Sequence, residues 1–279
     1  MQRILLIGGT GLLGPYIINT FKSHYKLNEA SRHSDDYICD LNNKTEIEVM
    51  LKDINPDIVI YIAGITNIDI CESNIQLANN INHLGVKYVK NFLSINQKLI
   101  YIGTDQVYPD TTGPHKEGTY APINNYGITK LLGSRTVLEH PNGLVINTNF
   151  FGPSLNKNRT SLSDFFYKNI KKKNSIKIFE DSYFSPILMS TLSQILRELI
   201  ERNIFGIYNL GSRNGMSKAN FAREIANHYN LEIVNTISQN AEYIRGRVKR
   251  SLDLRLDVSL LEKVLGYNMR TLKEEIKLL

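Results

Sequence analysis

Two tyrosine–lysine pairs in the sequence have the spacing that a catalytic acid and its cationic partner need. Tyr126 and Lys130 lie in YGITK, and Tyr167 and Lys171 lie in YKNIK. Residues four apart share one face of a helix, so either pair can bring a phenol next to an ammonium group. A phenol, with an ordinary pKa of about 10, is a weak acid at neutral pH, and a nearby cation makes it stronger. Because the spacing occurs twice, the surrounding sequence must distinguish the pairs.

The sequence around the first pair supplies the other groups that reduction of a carbonyl requires. Thr104 and Asp105 follow the apolar run KLIYIG, upstream of Tyr126. Ligands of open parallel sheets bind beyond the carboxyl ends of the strands, which places Thr104 in the cleft. We assign Tyr126 as proton donor to the developing alkoxide, Thr104 as second hydrogen-bond donor, and Lys130, with a nicotinamide cation, as the group that lowers the tyrosine pKa. Tyr167 has no such neighbours.

A glycine-rich turn near the N-terminus predicts where a dinucleotide binds. GGTGLLG follows the strand-like run RILLI and precedes a helical pattern. Glycine lets the backbone approach a pyrophosphate, whose charge then lies at the positive end of the helix. A tight turn without a ligand is the simpler interpretation, but a strand before and a helix after are the context that binding requires. The predicted cofactor contacts in this turn are Gly8, Thr10, Gly11, Leu12, Leu13 and Gly14.

The end of the second predicted strand, in NEASRHS, bears on the choice of cofactor. A carboxylate there binds the ribose 2′-hydroxyl of NAD, whereas an arginine neutralises the 2′-phosphate of NADP. Ser31 occupies the usual acidic position and Arg32 follows it. This favours NADP(H) over NAD(H), with a plain surface charge as the alternative for Arg32. Asp40 and Leu41 come after the next short extended segment, where such folds commonly contact an adenine.

Strands and helices alternate through the first half of the chain. Apolar runs predict strands over 3–8, 25–31, 57–64, 98–104 and 143–150, and helical patterns between them cover 11–24, 43–54, 74–94 and 126–139. This alternation is typical of parallel βαβ units, so we expect an α/β protein with a Rossmann-type doubly wound parallel sheet.

The alternation of strands and helices is interrupted after about residue 150 by a polar insert, GPSLNKNRTSLSD. Strands in SIKIFE and GIYNLG and helices in MSTLSQILRELIERN and after Ser217 follow it. We therefore expect an NAD(P)-binding domain over 1–149 and a smaller, mainly substrate-binding lobe over 150–279, some segments of which return to the Rossmann sheet.

Composition and charge exclude several classes of protein. The 279 residues are 42% hydrophobic and 22% charged, without an apolar run of membrane-spanning length or a signal-peptide core, so we expect a cytoplasmic protein outside the membrane. Cys39 and Cys71 lack metal-ligand spacing, and we predict neither a metal site nor a disulfide. The net charge of +6 fits a polyanionic ligand. Nucleic acid is disfavoured, because the cations are not interleaved with aromatic residues.

The assembled motifs resemble the extended short-chain dehydrogenase/reductases, and within them the dTDP-4-dehydrorhamnose reductase family. The family segments STDYVF, PLNVYGxTKLAGE and NAAAxTxVDxAE correspond here to GTDQVY, PINNYGITKLLGS and YIAGITNIDICE. The segments RTSWVYG and DQxGxP correspond to NTNFFGP and DSYFSP. The resemblance covers nearly the whole chain and is strongest up to residue 135.

The resemblance implies a reductase that uses NAD(P)H to reduce the 4-keto group of a nucleotide-activated deoxysugar, in surface polysaccharide or deoxysugar biosynthesis. It carries the reaction roles to three residues that the motifs already single out. The implied groups are Thr104, Tyr126 and Lys130 for the reaction; Ala63, Gly64, Thr66, Tyr126 and Lys130 for the cofactor; and Thr104, Asp105, Gln106 and Phe150 for the substrate.

Several positions depart from the family pattern. Gln106 replaces a tyrosine, Phe150 a tryptophan, Asn147 an arginine and Ser134 a glutamate, so the sugar or base can differ from dTDP-4-dehydrorhamnose. Pro15 stands where some members carry a glutamate linked to a metal at a dimer contact. This argues against that mode of pairing, although a homodimer of another kind stays open.

Other functions compete with the reductase. The first alternative is an NAD-dependent nucleotide-sugar 4-epimerase, which reoxidises its own product and holds NAD tightly. Arg32 and the short second lobe favour a reductase that releases NADP. The regulatory subunit of methionine adenosyltransferase also resembles this family, and the complete Thr–Tyr–Lys set argues against such a non-catalytic role. Gln106 disfavours a 4,6-dehydratase, because an amide cannot act as a base. The basic segment RGRVKR at 245–250 fits a clamp on the substrate diphosphate or an exposed loop without a ligand.

Overall fold

A computed structural model, which describes residues 1–241, 246 and 248–279, has a seven-stranded parallel sheet at its centre. The strands in chain order are β1 (Arg3–Ile7), β2 (Lys26–Ser31), β3 (Tyr37–Ile38), β4 (Ile58–Tyr61), β5 (Lys98–Ile102), β6 (Gly143–Thr148), β7 (Phe150–Phe151), β8 (Ile176–Phe179), β9 (Tyr183–Phe184), β10 (Ile187–Leu188), β11 (Gly206–Leu210), β12 (Met216–Ser217), β13 (Thr236–Gln239) and β14 (Asp253–Leu254). The central order is β11-β6-β5-β4-β1-β2-β3. The order reverses between β1 and β4, where ligands of such sheets bind.

Helices cover both faces of this sheet, as the alternating sequence pattern predicts. In chain order they are α1 (Gly14–Phe21), α2 (Lys44–Ile54), α3 (Ile68–Ser73), α4 (Ile75–Asn79), α5 (Gly85–Phe92), α6 (Asn125–Leu138), α7 (Leu162–Lys171), α8 (Met189–Glu201), α9 (Lys218–His228), α10 (Ser259–Leu265) and α11 (Leu272–Ile276). The predicted start of α2 and the predicted cap of α9 are confirmed, because Asn43 and Ser217 accept hydrogen bonds from backbone N–H groups of their first turns.

Strand periodicity produces two separate cores. Ile4 and Leu6 of β1 pack into one apolar cluster, whereas Leu5 and Ile7 pack into another. Successive strand residues point to opposite faces, so a strand that is apolar throughout must be covered on both sides. The Rossmann-type doubly wound sheet expected from the sequence is confirmed.

The C-terminal part of the chain has a third apolar core, built on Phe151, Phe166, Phe184 and Phe221. The C-terminal part of the chain is not wholly separate from the central sheet, because its strand β11 pairs with β6 in parallel. The segment GIYNLG therefore returns to the central sheet, while the exact division at residue 149 stays a prediction.

The helix predicted over 74–94 is present over 75–92, but it contains a π-helical turn and follows a separate short helix, α3. Asn67 and Asn74 cap two short helices, α3 and α4, and a π-helical turn over Asn80–Leu84 then joins α4 to α5. The spacing of apolar residues does not reveal one additional residue in a single turn, so it cannot predict a π-helical turn. Within the described residues, no helix is both long and apolar enough to span a membrane.

Candidate active site

An open cleft of about 620 Å³ lies at the carboxyl ends of β1, β2 and β4. Twelve of the fifteen predicted cofactor contacts line it, from four separate segments of the chain, whereas Gly14, Tyr126 and Lys130 do not. Those present are Gly8, Thr10, Gly11, Leu12, Leu13, Ser31, Arg32, Asp40, Leu41, Ala63, Gly64 and Thr66. The sheet thus brings these residues to one surface large enough for a dinucleotide.

Two glycines shape the turn by permitting close backbone contacts. Gly8 has φ +96°, and a Cβ atom there would lie 2.7 Å from the Cα atom of Ala63. Gly14 is packed beneath the turn, where an added Cβ would lie 1.8 Å from the carbonyl oxygen of Gly9. Gly14 does not line the cleft, so its structural role is to seat α1 against the turn.

The segment that the sequence predicts to select NADP presents an available cation. Arg32 is exposed on the cleft and forms no ion pair with any described carboxylate. The Oγ atom of Ser31 accepts a hydrogen bond from the backbone N–H of His33 at 3.2 Å, which orders the segment. An unpaired guanidinium at this position suits a phosphate, since arginine and phosphate match in charge and geometry.

The proposed reaction groups are buried together beyond β5. Thr104, Tyr126 and Lys130 are 4%, 8% and 3% exposed. Thr104 begins a 3₁₀ turn over Asp105–Val107, and its hydroxyl donates to Oδ1 of Asp105 at 3.2 Å. Asn124 caps α6 by accepting from the Gly127 N–H at 2.9 Å, which starts the helix just before Tyr126.

In the protein alone, the surroundings of Tyr126 raise the pKa of its phenol. Burial raises the pKa of its phenol, and the buried carboxyl of Asp105 and the thiol of Cys71 raise it further, whereas a hydrogen bond with Thr104 lowers it. Without the cofactor the net pKa is well above that of a free tyrosine, and the predicted lowering by Lys130 together with a nicotinamide cation stays a prediction. The physical reason for the raised pKa is that burial disfavours the charged phenolate more than the hydrogen bond stabilises it.

Lys130 is directed toward the backbone of β5. Its Nζ atom donates to the carbonyl oxygen of Ile102 at 2.7 Å and lies 4.0 Å from the centroid of the Tyr101 ring. Burial lowers the pKa of Lys130 to about 7. The side chain is thus a cation that can lose its proton near neutral pH. Its hydrogen-bond acceptor, Ile102, lies 28 residues earlier in the sequence.

The predicted substrate contacts surround the same point. Asp105 is 1% exposed, and its Oδ2 atom accepts from Nδ2 of Asn149 at 2.7 Å. Burial raises the pKa of the Asp105 carboxyl, while the hydrogen bond from Asn149 lowers it. Gln106 accepts from Nδ2 of the helix cap Asn124 at 3.3 Å, and Phe150 lines the dinucleotide cleft. Gln106 therefore has a structural partner, and its contact with the substrate stays a prediction.

Asn82, in the π-helical turn, connects the two halves of the site and was missed in the sequence. Its Oδ1 accepts from the N–H of Ile65 at 2.9 Å, and its Nδ2 donates to the Ile65 carbonyl and to Oγ1 of Thr129, both at 3.1 Å. Its own carbonyl accepts from the hydroxyl of Tyr101 at 2.9 Å. Asn82 therefore fixes the cleft wall at 63–66 relative to α6 and to the ring beneath Lys130.

Part of the basic segment at 245–250 closes over the reaction groups. Val248 packs against the apolar cluster that contains Tyr126, and Asn124 donates to the carbonyl of Lys249 at 3.3 Å. Lys249 pairs with Asp110 at 2.8 Å, and Arg250 with Asp69 at 3.0 Å. The other two cations of the predicted diphosphate clamp, Arg245 and Arg247, lie outside the described residues.

The second tyrosine–lysine pair has different surroundings. The Nζ atom of Lys171 donates directly to the hydroxyl of Tyr167 at 3.0 Å on α7. The Tyr167 ring packs on Tyr229 with 4.4 Å between ring centroids, and Lys171 is exposed. This pair is remote in sequence from β5, and its lysine is exposed and bonded to its own tyrosine, so it supplies a control for the first pair.

The described residues contain no group of three or more histidine, cysteine, aspartate or glutamate side chains arranged to hold a metal. Cys39 and Cys71 are both buried and free. Cys71 donates a weak hydrogen bond to the Ile65 carbonyl at 3.3 Å, and burial raises its pKa to about 11. A thiol in that state is a packing group rather than a nucleophile.

Comparisons with known proteins show what this chain is similar to. A family model described as the RmlD substrate binding domain matches residues 1–279. Methionine adenosyltransferase 2 subunit beta of Xenopus laevis is 27% identical, with 97% of this chain and 84% of that protein covered. The dTDP-4-dehydrorhamnose reductase of Escherichia coli is also 27% identical, with 75% of this chain and 72% of that protein covered.

Among solved structures, the dTDP-4-dehydrorhamnose reductase of Bacillus anthracis str. Ames in complex with NADP superposes with a TM-score of 0.88. It is 23% identical, and the superposition covers 99% of this chain and 97% of that one. This likeness establishes that the two chains share a fold.

Proposed function

This chain belongs to the RmlD substrate-binding-domain family, and from that membership we propose that it reduces the 4-keto group of a nucleotide-activated deoxysugar with NADPH. The observation that carries the proposal is the burial of Thr104, Tyr126 and Lys130 together beyond β5, on the sheet whose neighbouring strand ends form the dinucleotide cleft. The E. coli relative named as a dTDP-4-dehydrorhamnose reductase supports the same reaction class.

The cleft fits a dinucleotide by its shape and its charge. An added Cβ at Gly11 would meet only the carbonyl of Gly8 within 4 Å, at 3.4 Å, so the surface around it is open to a ligand. We expect the turn at 8–13 to hold the pyrophosphate with its backbone N–H groups, and Arg32 to hold the 2′-phosphate of NADP. A bound reduced nicotinamide supplies the hydride for the carbonyl carbon.

Tyr126 is suited to give the matching proton to the carbonyl oxygen. Because its pKa is raised, the phenol keeps its proton at neutral pH, which is the state a donor needs before reduction. The hydroxyl of Thr104, which donates to Asp105 in this structure, can turn to donate to the same oxygen. Lys130, whose Nζ atom is held at the Ile102 carbonyl in this structure, would in its protonated form stabilise the phenolate that the transfer leaves behind.

A second candidate is a non-catalytic subunit of another enzyme. It is favoured by the match to methionine adenosyltransferase 2 subunit beta, which extends over 97% of this chain. In that case the cleft would still bind a dinucleotide, and Tyr126 would have no reaction to serve. The epimerase alternative predicts a third behaviour, in which NAD is retained tightly during purification and is not consumed.

The test is consumption of NADPH and NADH in the presence of a panel of 4-keto nucleotide sugars. We expect NADPH oxidation with at least one sugar, and a loss of about a hundredfold or more in kcat for Tyr126→Phe, since general acid catalysis is worth that much. Tyr167→Phe is the matched control and should retain wild-type activity. Unchanged turnover in Tyr126→Phe would refute the mechanism, and dinucleotide binding without turnover on any sugar would favour the subunit. The homodimer and the cytoplasmic location stay predictions.

A further inference from the structure

The polar insert of the sequence forms one wall of the dinucleotide cleft. We call residues 152–160, between β7 and α7, the cleft loop. Asn158, Arg159 and Thr160 of this loop line the same cleft as the glycine-rich turn and Arg32. The cleft is therefore enclosed by both parts of the chain, although the sequence assigned cofactor binding to the first part alone.

The cleft loop is fastened directly to the glycine-rich turn. The Nδ2 atom of Asn156 donates to the carbonyl oxygen of Thr10 at 2.8 Å, across 146 positions of sequence. The carbonyl of Asn156 accepts from the hydroxyl of Ser154 at 2.8 Å and from the N–H of Arg159 at 3.1 Å. The loop is held at its start as well, because Asp164 of α7 accepts from the N–H of Ser154 at 2.9 Å.

This anchoring places Arg159 within reach of the phosphates. The hydrogen bond between Asn156 and Arg159 closes a β-turn, so their Cα atoms lie within about 7 Å of each other. Arg159 is exposed on the cleft and forms no ion pair with a described carboxylate. Its loop neighbour Lys157 is exposed too, but it does not line the cleft.

We propose that Arg159 binds the pyrophosphate of the dinucleotide from the side opposite the glycine-rich turn. The inference rests on the proposed function in that it takes the cleft to be a dinucleotide site. The turn supplies backbone N–H groups, and the guanidinium adds charge-assisted hydrogen bonds on the other face of the diester. Arg32, by contrast, serves the 2′-phosphate. The two arginines thus recognise different phosphates of one cofactor.

The proposal predicts a specific pattern of binding constants. Arg159→Gln should weaken NADPH and NADH by similar factors, about tenfold to a hundredfold, because both carry the pyrophosphate and a hydrogen bond to a charged group is worth that much. Arg32→Gln should weaken NADPH alone. Lys157→Gln removes the same charge from the same loop and should change neither constant by more than about twofold.

Isothermal titration calorimetry on the full chain measures these constants without any turnover. Equal weakening of both dinucleotides by Arg159→Gln, with Lys157→Gln unchanged, supports the proposal. Unchanged constants in Arg159→Gln overturn it and leave the proposed function intact, as does a loss confined to NADPH, which would assign Arg159 to the 2′-phosphate. If the unaltered protein binds neither dinucleotide, the proposed function fails and this inference fails with it.

Discussion

The buried ammonium group of Lys130, which the proposed reaction uses, should lower the free energy of unfolding. Its ammonium is 3% exposed and has a carbonyl oxygen and an aromatic ring as partners, with no described carboxylate within ion-pair distance. Burial consequently lowers its pKa from 10.5 to about 7. We predict that Lys130→Met removes the free-energy cost of burying this charge and changes how the free energy of unfolding depends on pH.

The sign follows from the protons bound in each state. Between pH 7 and about 10.5 the unfolded chain keeps the Lys130 proton while the native protein has lost it, so the free energy of unfolding rises with pH in that window. The whole shift corresponds to about 5 kcal/mol, since each pKa unit is about 1.4 kcal/mol. About 2–3 kcal/mol of it falls between pH 6 and pH 9, because titration is nearly absent below the native pKa.

Urea denaturation of the two proteins at pH 6, 7, 8 and 9 measures this dependence. The free energy of unfolding of wild type minus that of Lys130→Met should increase by about 2–3 kcal/mol across the series. Taking the difference cancels the other groups that titrate in this range. A constant offset remains, because the variant leaves the Ile102 carbonyl without its donor, which costs about 1–3 kcal/mol at every pH.

Lys171→Met is the matched control, since it breaks the other tyrosine–lysine pair on an exposed helix face. Its stability difference from wild type should stay flat between pH 6 and pH 9. A flat difference for Lys130→Met as well would show that Lys130 keeps an ordinary pKa in the native protein. The reasoning about its burial would then be wrong.

Two further predictions concern the surroundings of Tyr126. Thr104→Val should lower kcat for the 4-keto sugar about a hundredfold with little change in NADPH affinity, because it removes one donor to the developing alkoxide; an unchanged kcat in steady-state kinetics would exclude that role. Asn82→Ala should lower the free energy of unfolding by about 2–4 kcal/mol, since it leaves both backbone groups of Ile65 unpaired and opens a cavity; a loss below about 1 kcal/mol in urea denaturation would contradict the bridging role.

The sequence could predict the cleft because its residues are set by local rules. A glycine turn between a strand and a helix, and the ends of successive parallel strands, must converge at one edge of the sheet. That is why Gly8 and Ser31 could be assigned to one surface although they are distant along the chain, whereas Ala63 was assigned to it from the family resemblance. The central sheet followed from the same alternation.

Other parts of the site depend on contacts that leave no local pattern. Asn82 acts through a π-helical turn, Arg159 through a loop fastened by Asn156, and Val248 through packing from a distant segment. A polar residue in a helical stretch and an arginine in a polar insert both look like solvent-facing residues. Only the tertiary arrangement shows that the first is buried and the second faces the cleft.

The two tyrosine–lysine pairs show which property of the chain makes the chemistry. The pair with the direct hydrogen bond, Tyr167 and Lys171, makes that bond at the exposed surface. Water there screens the charge of the lysine, so its effect on the phenol is weak. In the other pair the lysine donates to a backbone carbonyl, and both side chains are nearly inaccessible to solvent. Burial there raises the tyrosine pKa and lowers the lysine pKa, which moves their two proton affinities apart, so that the phenol keeps its proton at a pH where the ammonium can release one. Spacing therefore selects candidates, and it is the low-dielectric surroundings beyond β5 that give Tyr126 and Lys130 the proton affinities a reductase can use.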